Sequence, residues 1–92
     1  MIIQNENSPL FSVIQKFLVA NELIGSWSEL AAQVQRSRTY FSTLRRTNRN
    51  PSSEVWDAMK NFLSELVHEC RSETLVRWLE HYIRQIEVEV QK

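Results

Sequence analysis

Five times along this chain, a serine precedes a run of residues in which apolar side chains recur three and four positions apart. The five serines are Ser8, Ser26, Ser37, Ser52 and Ser72. Serine is a favoured N-cap, and a spacing of three and four places side chains on one face of an α-helix. The repeated pattern therefore predicts about five short amphipathic helices and an all-α fold.

Turn-forming residues are scarce, with one glycine and two prolines among 92 residues. A β-rich chain of this length needs more of them, so the composition favours helices joined by short loops. Gly25 is predicted to close the first helix after Ile24. Glu29 is predicted to complete a capping box with Ser26. The chain length predicts a single domain over residues 1–92, in which residues 8–66 form four helices and residues 72–91 form a C-terminal helix.

Several classes of protein are disfavoured by the sequence. The single cysteine, Cys70, excludes an intrachain disulfide, and the N-terminus MIIQNENSPL has no signal-peptide pattern. The apolar runs are shorter than the ~20 residues of a membrane span. His68, Cys70 and His81 lack a fourth zinc ligand, and neither a nucleophile elbow nor a phosphate loop occurs. We therefore expect a cytoplasmic protein that is not an enzyme, with no cofactor, metal, small-molecule ligand or membrane contact.

Charge is strongly segregated in this chain of zero net charge. The segment between Leu30 and Ser53 carries five arginines and no acidic residue, whereas the flanking segments carry −2 and −3. An anionic partner would relieve the self-repulsion of such a segment, and a phosphate backbone is the simplest one. A solvated basic face without a partner is the alternative. The arginines are Arg36, Arg38, Arg45, Arg46 and Arg49.

Two short predicted helices, over about 27–34 and 37–46, lie in this basic segment. The turn between them is predicted to have three or four residues. Ala31 is small where the two helices would cross, and Phe41 and Leu44 would pack back onto the first helix. This is the spacing of a helix-turn-helix unit, whose second helix can enter the major groove of DNA.

Residues 26–63 resemble the Cro/C1-type (XRE, lambda-repressor-like) helix-turn-helix family, especially its small phage repressors and restriction-modification controller proteins. The family usually has glycine and then an apolar residue in the turn, where this chain has Gln35 and Arg36. It often has a second glycine after the recognition helix, where Thr47 stands. The matching pieces are Leu30-Ala31, the run from Ser37 to Ser42, Leu44-Arg45-Arg46 and the run from Arg49 to Ser52.

The resemblance implies a repressor-like transcriptional regulator that binds a symmetric operator in double-stranded DNA as a homodimer. Tyr40 and Trp27 could instead be partly buried packing residues. The implied base-reading residues are Arg38, Thr39, Tyr40 and Thr43. The implied phosphate contacts, which position the protein, are Ser26, Trp27 and Ser28 at a helix N-terminus, and Arg45, Arg46, Asn48 and Arg49.

The last predicted helix has a long apolar stripe, which could pack on its own domain, meet a second copy, or do both. We expect both, with the N-terminal half docked on the fourth helix. A helical protein-binding adaptor, antitoxin-like or antirepressor-like, is the alternative function, and the neutral total charge favours it. RNA binding is a third and weaker hypothesis, supported by Tyr40 alone. The predicted dimer interface is Leu79, Tyr82, Ile83, Ile86 and Val90.

Overall fold

The computed structural model describes residues 9–91, and its secondary structure is entirely helical. The predicted all-α fold with about five helices is confirmed, and no β-strand occurs in residues 9–91. The helices are α1 (Leu10–Ala20), α2 (Trp27–Gln33), α3 (Tyr40–Thr47), α4 (Ser53–Glu69) and α5 (Glu73–Val90).

All five helices contribute to one hydrophobic core. Phe11, Leu30, Phe41, Met59 and Leu79, one from each helix, are almost completely buried and belong to the same cluster. The rings of Phe11 and Phe41 stack with their centroids 5.5 Å apart, which joins α1 to α3. Because α5 fills this shared core, it is an integral part of the fold rather than an added C-terminal element.

The two longest helices, α4 and α5, pack against each other along most of their length. Their N-caps are Ser52, within the predicted start at residues 51–54, and the predicted Ser72. The two hydroxyls accept hydrogen bonds from the backbone N–H groups of Val55 (3.4 Å) and Leu75 (3.3 Å). Near the far end of α5, Lys60 and Glu87 approach to 3.8 Å across the helix pair. Serine caps and an apolar interface thus define this half of the molecule.

The end of α1 differs from the prediction. The helix stops at Ala20 rather than Ile24, and Glu22 takes the left-handed conformation (φ 59°) that was expected of glycine. The N–H of Leu23 then bonds to the carbonyl of Leu18 (2.9 Å). Ile24 is buried without being helical. The apolar residues 23 and 24 therefore pack on the core from a turn, which a helical periodicity cannot distinguish from another helical turn.

The predicted capping box at α2 is wrong in its details. Ser26 is the N-cap residue, but its side chain makes no capping hydrogen bond and lies 3.2 Å from the Ser28 hydroxyl. The carboxylate of Glu29 instead accepts a hydrogen bond from the N–H of Gly25 (2.6 Å), one residue earlier than a capping box requires. The predicted cap of α1, Ser8, lies outside the described residues, and Pro9 is the N-cap.

Candidate nucleic-acid interface

The connection between α2 and α3 has six residues, 34–39, rather than the predicted three or four. Its left-handed residue is Gln35 (φ 60°), which bears the steric cost that a glycine would avoid. The N–H of Arg36 donates a hydrogen bond to the carbonyl of Ala31 (2.9 Å), and this bond closes the C-terminal end of α2. The Arg36 side chain is exposed, so the longer turn leaves no charged group in the core.

The start and end of α3 also move relative to the prediction. Thr39, rather than Ser37, occupies the N-cap position, and its side chain makes no capping bond. Arg38 therefore lies in the turn before the helix. At the other end Asn48, rather than Thr47, is left-handed (φ 56°), and the Arg49 N–H bonds to the carbonyl of Leu44 (2.9 Å). Asparagine tolerates this conformation better than most residues because its short side chain can bond locally.

The four predicted base-reading residues differ in exposure. Arg38 and Thr39 are exposed, and Thr43 is partly exposed on α3. Tyr40 is half-buried, with its ring edge-on to Phe41 at 5.1 Å between centroids. The guanidinium of Arg36 also lies 5.8 Å from the Tyr40 ring centroid. Tyr40 is thus at least partly a packing residue, which leaves less of its surface for a ligand.

A polar groove of about 400 Å³ lies between the start of α2 and the start of α3. Its described lining residues include no carboxylate, and most of them have side chains that can donate hydrogen bonds. It brings together the predicted phosphate contacts at residues 26–28 and Arg45 with the predicted base reader Arg38. The lining residues are Gln15, Ser26, Trp27, Ser28, Arg38, Phe41, Ser42 and Arg45.

Gln15 of α1 is the groove residue that sequence reasoning missed. Its side chain is 1% exposed, and both ends of its amide are used. The Oε1 atom accepts a hydrogen bond from Nη1 of Arg45 (2.7 Å), and Nε2 donates to the backbone carbonyl of Trp27 (3.2 Å). The Arg45 guanidinium also lies 5.8 Å from the Trp27 ring centroid. The one available signal was a glutamine on the apolar face of α1, between Phe11 and Leu18.

The positive charge of this segment is not neutralised within the described chain. Among residues 9–91, none of the five arginines forms an ion pair. Arg46, Asn48 and Arg49, three predicted phosphate contacts, are all exposed at the end of α3. We call the exposed part of residues 36–49 the arginine surface. Its positive charge is suited to an anionic ligand.

The predicted dimer interface on α5 is largely internal. Leu79 and Ile86 have no exposed surface, and Tyr82 is 9% exposed. These side chains pack inside their own chain, and Leu79 and Ile86 have no surface to offer a second copy in this conformation. Ile83 is half-buried, and Val90 keeps an exposed edge. Leu79 and Ile86 are thus covered by their own chain, whereas α5 keeps Val88 and Val90 exposed near its C-terminal end.

A second stripe on α5 faces outward. It contains five uncharged residues with spacings of four, three, four and three, and we call it the outer stripe. Trp78 is 47% exposed, although its ring contacts those of Phe17 and Tyr82 at 6.3 and 6.0 Å between centroids. Val88 is 55% exposed. The stripe consists of Thr74, Trp78, His81, Gln85 and Val88.

Burial changes the pKa of one ionisable side chain of α5. It raises the pKa of the Tyr82 phenol, because the charged form would be poorly solvated between the helices.

Within the described range, no three side chains of His, Cys, Asp or Glu converge as a metal site would need. Across residues 9–91, no helix combines the length and the hydropathy required to cross a bilayer.

Comparisons of the chain with protein-family models, with curated proteins and with solved structures give no match. The resemblance to Cro/C1-type proteins therefore rests on the motif residues themselves.

Proposed function

We propose that this protein is a non-enzymatic, cytoplasmic transcriptional regulator of the Cro/C1 type that binds double-stranded DNA. The observation that carries the proposal is the arginine surface: five arginines that form no ion pair with any of residues 9–91 lie on and around two short consecutive helices. Phosphate is the commonest polyanionic partner of such a surface, and a short exposed helix such as α3 can enter a major groove.

Specific and non-specific contacts are divided within this surface. Arg38, Thr39 and Thr43 would face base edges, where arginine pairs with guanine and the threonine methyl contacts thymine. Tyr40 would contact the bases with at most one edge of its ring, because the ring packs on Phe41. The polar groove and the end of α3 would contact phosphates on either side. These contacts would involve the predicted residues Ser26, Trp27, Ser28, Arg45, Arg46, Asn48 and Arg49.

The proposal is tested by measuring affinity for the DNA upstream of the protein's own gene over a range of salt concentrations. We expect affinity to fall steeply as salt rises, because each phosphate contact releases counterions. Arg49→Ala should weaken binding to every duplex alike and reduce the slope of log affinity against log salt by about one. Arg71→Ala removes an exposed arginine outside the arginine surface and should change neither quantity. Salt-independent binding, or equal effects of the two variants, would refute the proposal.

We propose further that the DNA-binding form is a homodimer joined through the outer stripe of α5. Its four-three spacing is that of a coiled-coil seam. In an antiparallel two-fold pair of α5 helices, one register sets the exposed Trp78 opposite Val88 of the second copy. The same register sets His81 opposite Gln85, a pair that can hydrogen-bond. The stripe is therefore complementary to itself.

The charges beside the stripe favour the same register. In this register, the position of the second copy that faces Arg84 is two residues away from Glu80 of that copy. The position that faces Arg77 is likewise two residues away from Glu87 of the second copy. At 1.5 Å per residue, each offset is about 3 Å along the axis. Long side chains bridge such an offset readily, so opposite charges would alternate along the flank of the pair.

The oligomeric state distinguishes this regulator from the adaptor alternative. Light scattering should give a dimer for the wild type and a monomer for Val88→Glu. Gln91→Glu introduces the same charge one turn away and outside the stripe, and it should remain dimeric. A wild-type monomer that stays monomeric on DNA would contradict the homodimer and favour the protein-binding adaptor. That partner would then cover the hollow of about 520 Å³ beside Trp78.

A further inference from the structure

Gln15 has an unusual position for a polar residue. It lies on the inner face of α1 and is 1% exposed. Its amide oxygen accepts a hydrogen bond from Arg45 of α3, and its amide nitrogen donates one to the carbonyl of Trp27 of α2. A buried amide is costly unless it is hydrogen-bonded, so the two contacts hold it in one orientation. Through them a single side chain of α1 fixes both the first residue of α2 and Arg45 of α3.

Arg45 is consequently held in one orientation by groups of two other helices. The contacts of Arg36, by contrast, are to the neighbouring Gln35 carbonyl (3.2 Å) and to the Tyr40 ring. The Arg45 guanidinium donates to Gln15 and lies over the Trp27 ring, whereas the side chains of Arg46 and Arg49 form no hydrogen bond with described residues. Only one of the five N–H donors of Arg45 is used by Gln15, and the residue remains exposed. The remaining donors are available to a ligand in the polar groove.

We infer that Gln15 is a positioning residue for DNA binding, which acts by holding Arg45 in a phosphate-binding orientation. The inference rests on the proposed DNA-binding function. Ordering a long side chain on association is unfavourable, and an arginine that is already held avoids most of this cost. The planar fork of arginine suits the arrangement, since one side can meet Gln15 while another meets phosphate oxygens.

The test is a double-mutant cycle on a fluorescently labelled duplex of mixed sequence, about 24 base pairs long, which spans two helical turns. A phosphate contact needs no particular sequence, so this probe is sufficient. Gln15→Met keeps the side-chain length and removes both hydrogen bonds. We expect it to weaken binding by about threefold to tenfold, the effect of freeing one long side chain. In the Arg45→Met background it should have no further effect.

Arg49→Met provides the matched background. Gln15→Met should weaken binding by the same factor there as in the wild type, because Arg49 does not contact Gln15. A merely structural role for Gln15 would weaken binding equally in all three backgrounds, and that result would overturn the inference. Circular dichroism at the assay temperature establishes that each variant is folded.

Arg45→Lys tests the same inference without disturbing the core. If orientation matters, the lysine variant should bind more weakly than the wild type while keeping its charge. Wild-type affinity in this variant would refute the inference. A wild-type protein that does not bind the duplex at all would refute the proposed function and, with it, the role of Gln15. Normal wild-type binding without coupling between residues 15 and 45 would refute the role of Gln15 alone.

Discussion

The α4–α5 half of the molecule and the α2–turn–α3 half are built on different principles. The first consists of two long helices with hydrogen-bonded serine caps and fully buried Leu63, Leu79 and Ile86. The second consists of helices of seven and eight residues whose N-caps make no side-chain bond. Two left-handed residues, Gln35 and Asn48, close these short helices. Long, capped helices are found in the first half, and arginines without neighbouring acidic residues are found in the second.

This difference shows how a small domain can carry a repulsive surface. Helices as short as α2 and α3 are not stable alone in water, so their conformation depends on what they pack against. Leu30 and Phe41 supply that packing by reaching into the common core, and Gln15 supplies a polar contact from behind. The fold of this half therefore does not depend on neutralising its exposed arginines within residues 9–91.

The largest effect is expected from a core substitution in the α4–α5 half. Leu79→Ala should lower the free energy of unfolding by about 2–5 kcal/mol, because a fully buried leucine leaves a cavity. Urea denaturation followed by circular dichroism measures the change. Val88→Ala, an apolar truncation on the exposed side of α5, should stay within about 0.5 kcal/mol at protein concentrations where the chain is monomeric. Similar losses in the two variants would show that the inner and outer faces of α5 are misassigned.

A smaller effect, on binding rather than stability, is expected at the arginine surface. Arg38→Ala or Thr43→Ala should cost about 1–3 kcal/mol on the preferred duplex, found by selection from random sequences, and much less on random DNA. Both variants should melt at nearly the wild-type temperature, because neither side chain is in the core. If both still discriminate between sites as the wild type does, α3 does not read bases.

The serine caps offer a direct comparison between the halves. Ser72→Ala should lower the stability by about 1 kcal/mol, because the hydroxyl accepts the Leu75 N–H bond. Ser26→Ala should lower the stability by only a few tenths as much as Ser72→Ala does. The reason is that the Ser26 hydroxyl contacts Ser28 and no backbone group. Thermal melts of the two variants provide the measurement. Equal losses would mean that both serines cap their helices in solution.

The smallest effect is expected at the turn. Gln35→Gly should raise the stability by less than about 1 kcal/mol, because relief of the left-handed strain is partly offset by a more flexible unfolded chain. Gln33→Gly makes the same change two residues earlier, inside α2, and should lower the stability by about 0.5–1 kcal/mol. Opposite signs in chemical denaturation would support the turn geometry. A loss at both positions would argue against the left-handed Gln35.

Cap residues and apolar periodicity predicted the helices of the α4–α5 half well. Ser52 and Ser72 are followed by apolar residues with helical spacing, and cap and stripe agree on where α4 and α5 begin. The same signals failed at the end of α1 and at the start of α3. At the end of α1 the chain leaves the helix through a turn in which Ile24 is still buried. At the start of α3 the turn residues 35–39 are exposed, and Ser37 and Thr39 are both suitable cap residues. Periodicity reports burial, and burial does not require a helix.

The candidate site was predicted in part. The residues of the polar groove at positions 26–28, 38 and 45 were all selected from the sequence, because charge and motif position are local properties. Gln15 could not be selected, since its role depends on a contact with a residue 30 positions away. The burial of Leu79 and Ile86 inside their own chain could not be predicted for a related reason. A stripe such as Leu79 and Ile86 shows which face is apolar but not which surface covers it.

The contact between Gln15 and Arg45 also has a consequence for how sequences of this kind can diverge. An amide at position 15 is useful only while a donor stands at position 45, and an acidic residue at 15 would neutralise the arginine. Loss of the Arg45 donor alone would leave the buried Gln15 oxygen unsatisfied, whereas a joint change to two apolar residues would not. Positions 15 and 45 are therefore expected to covary.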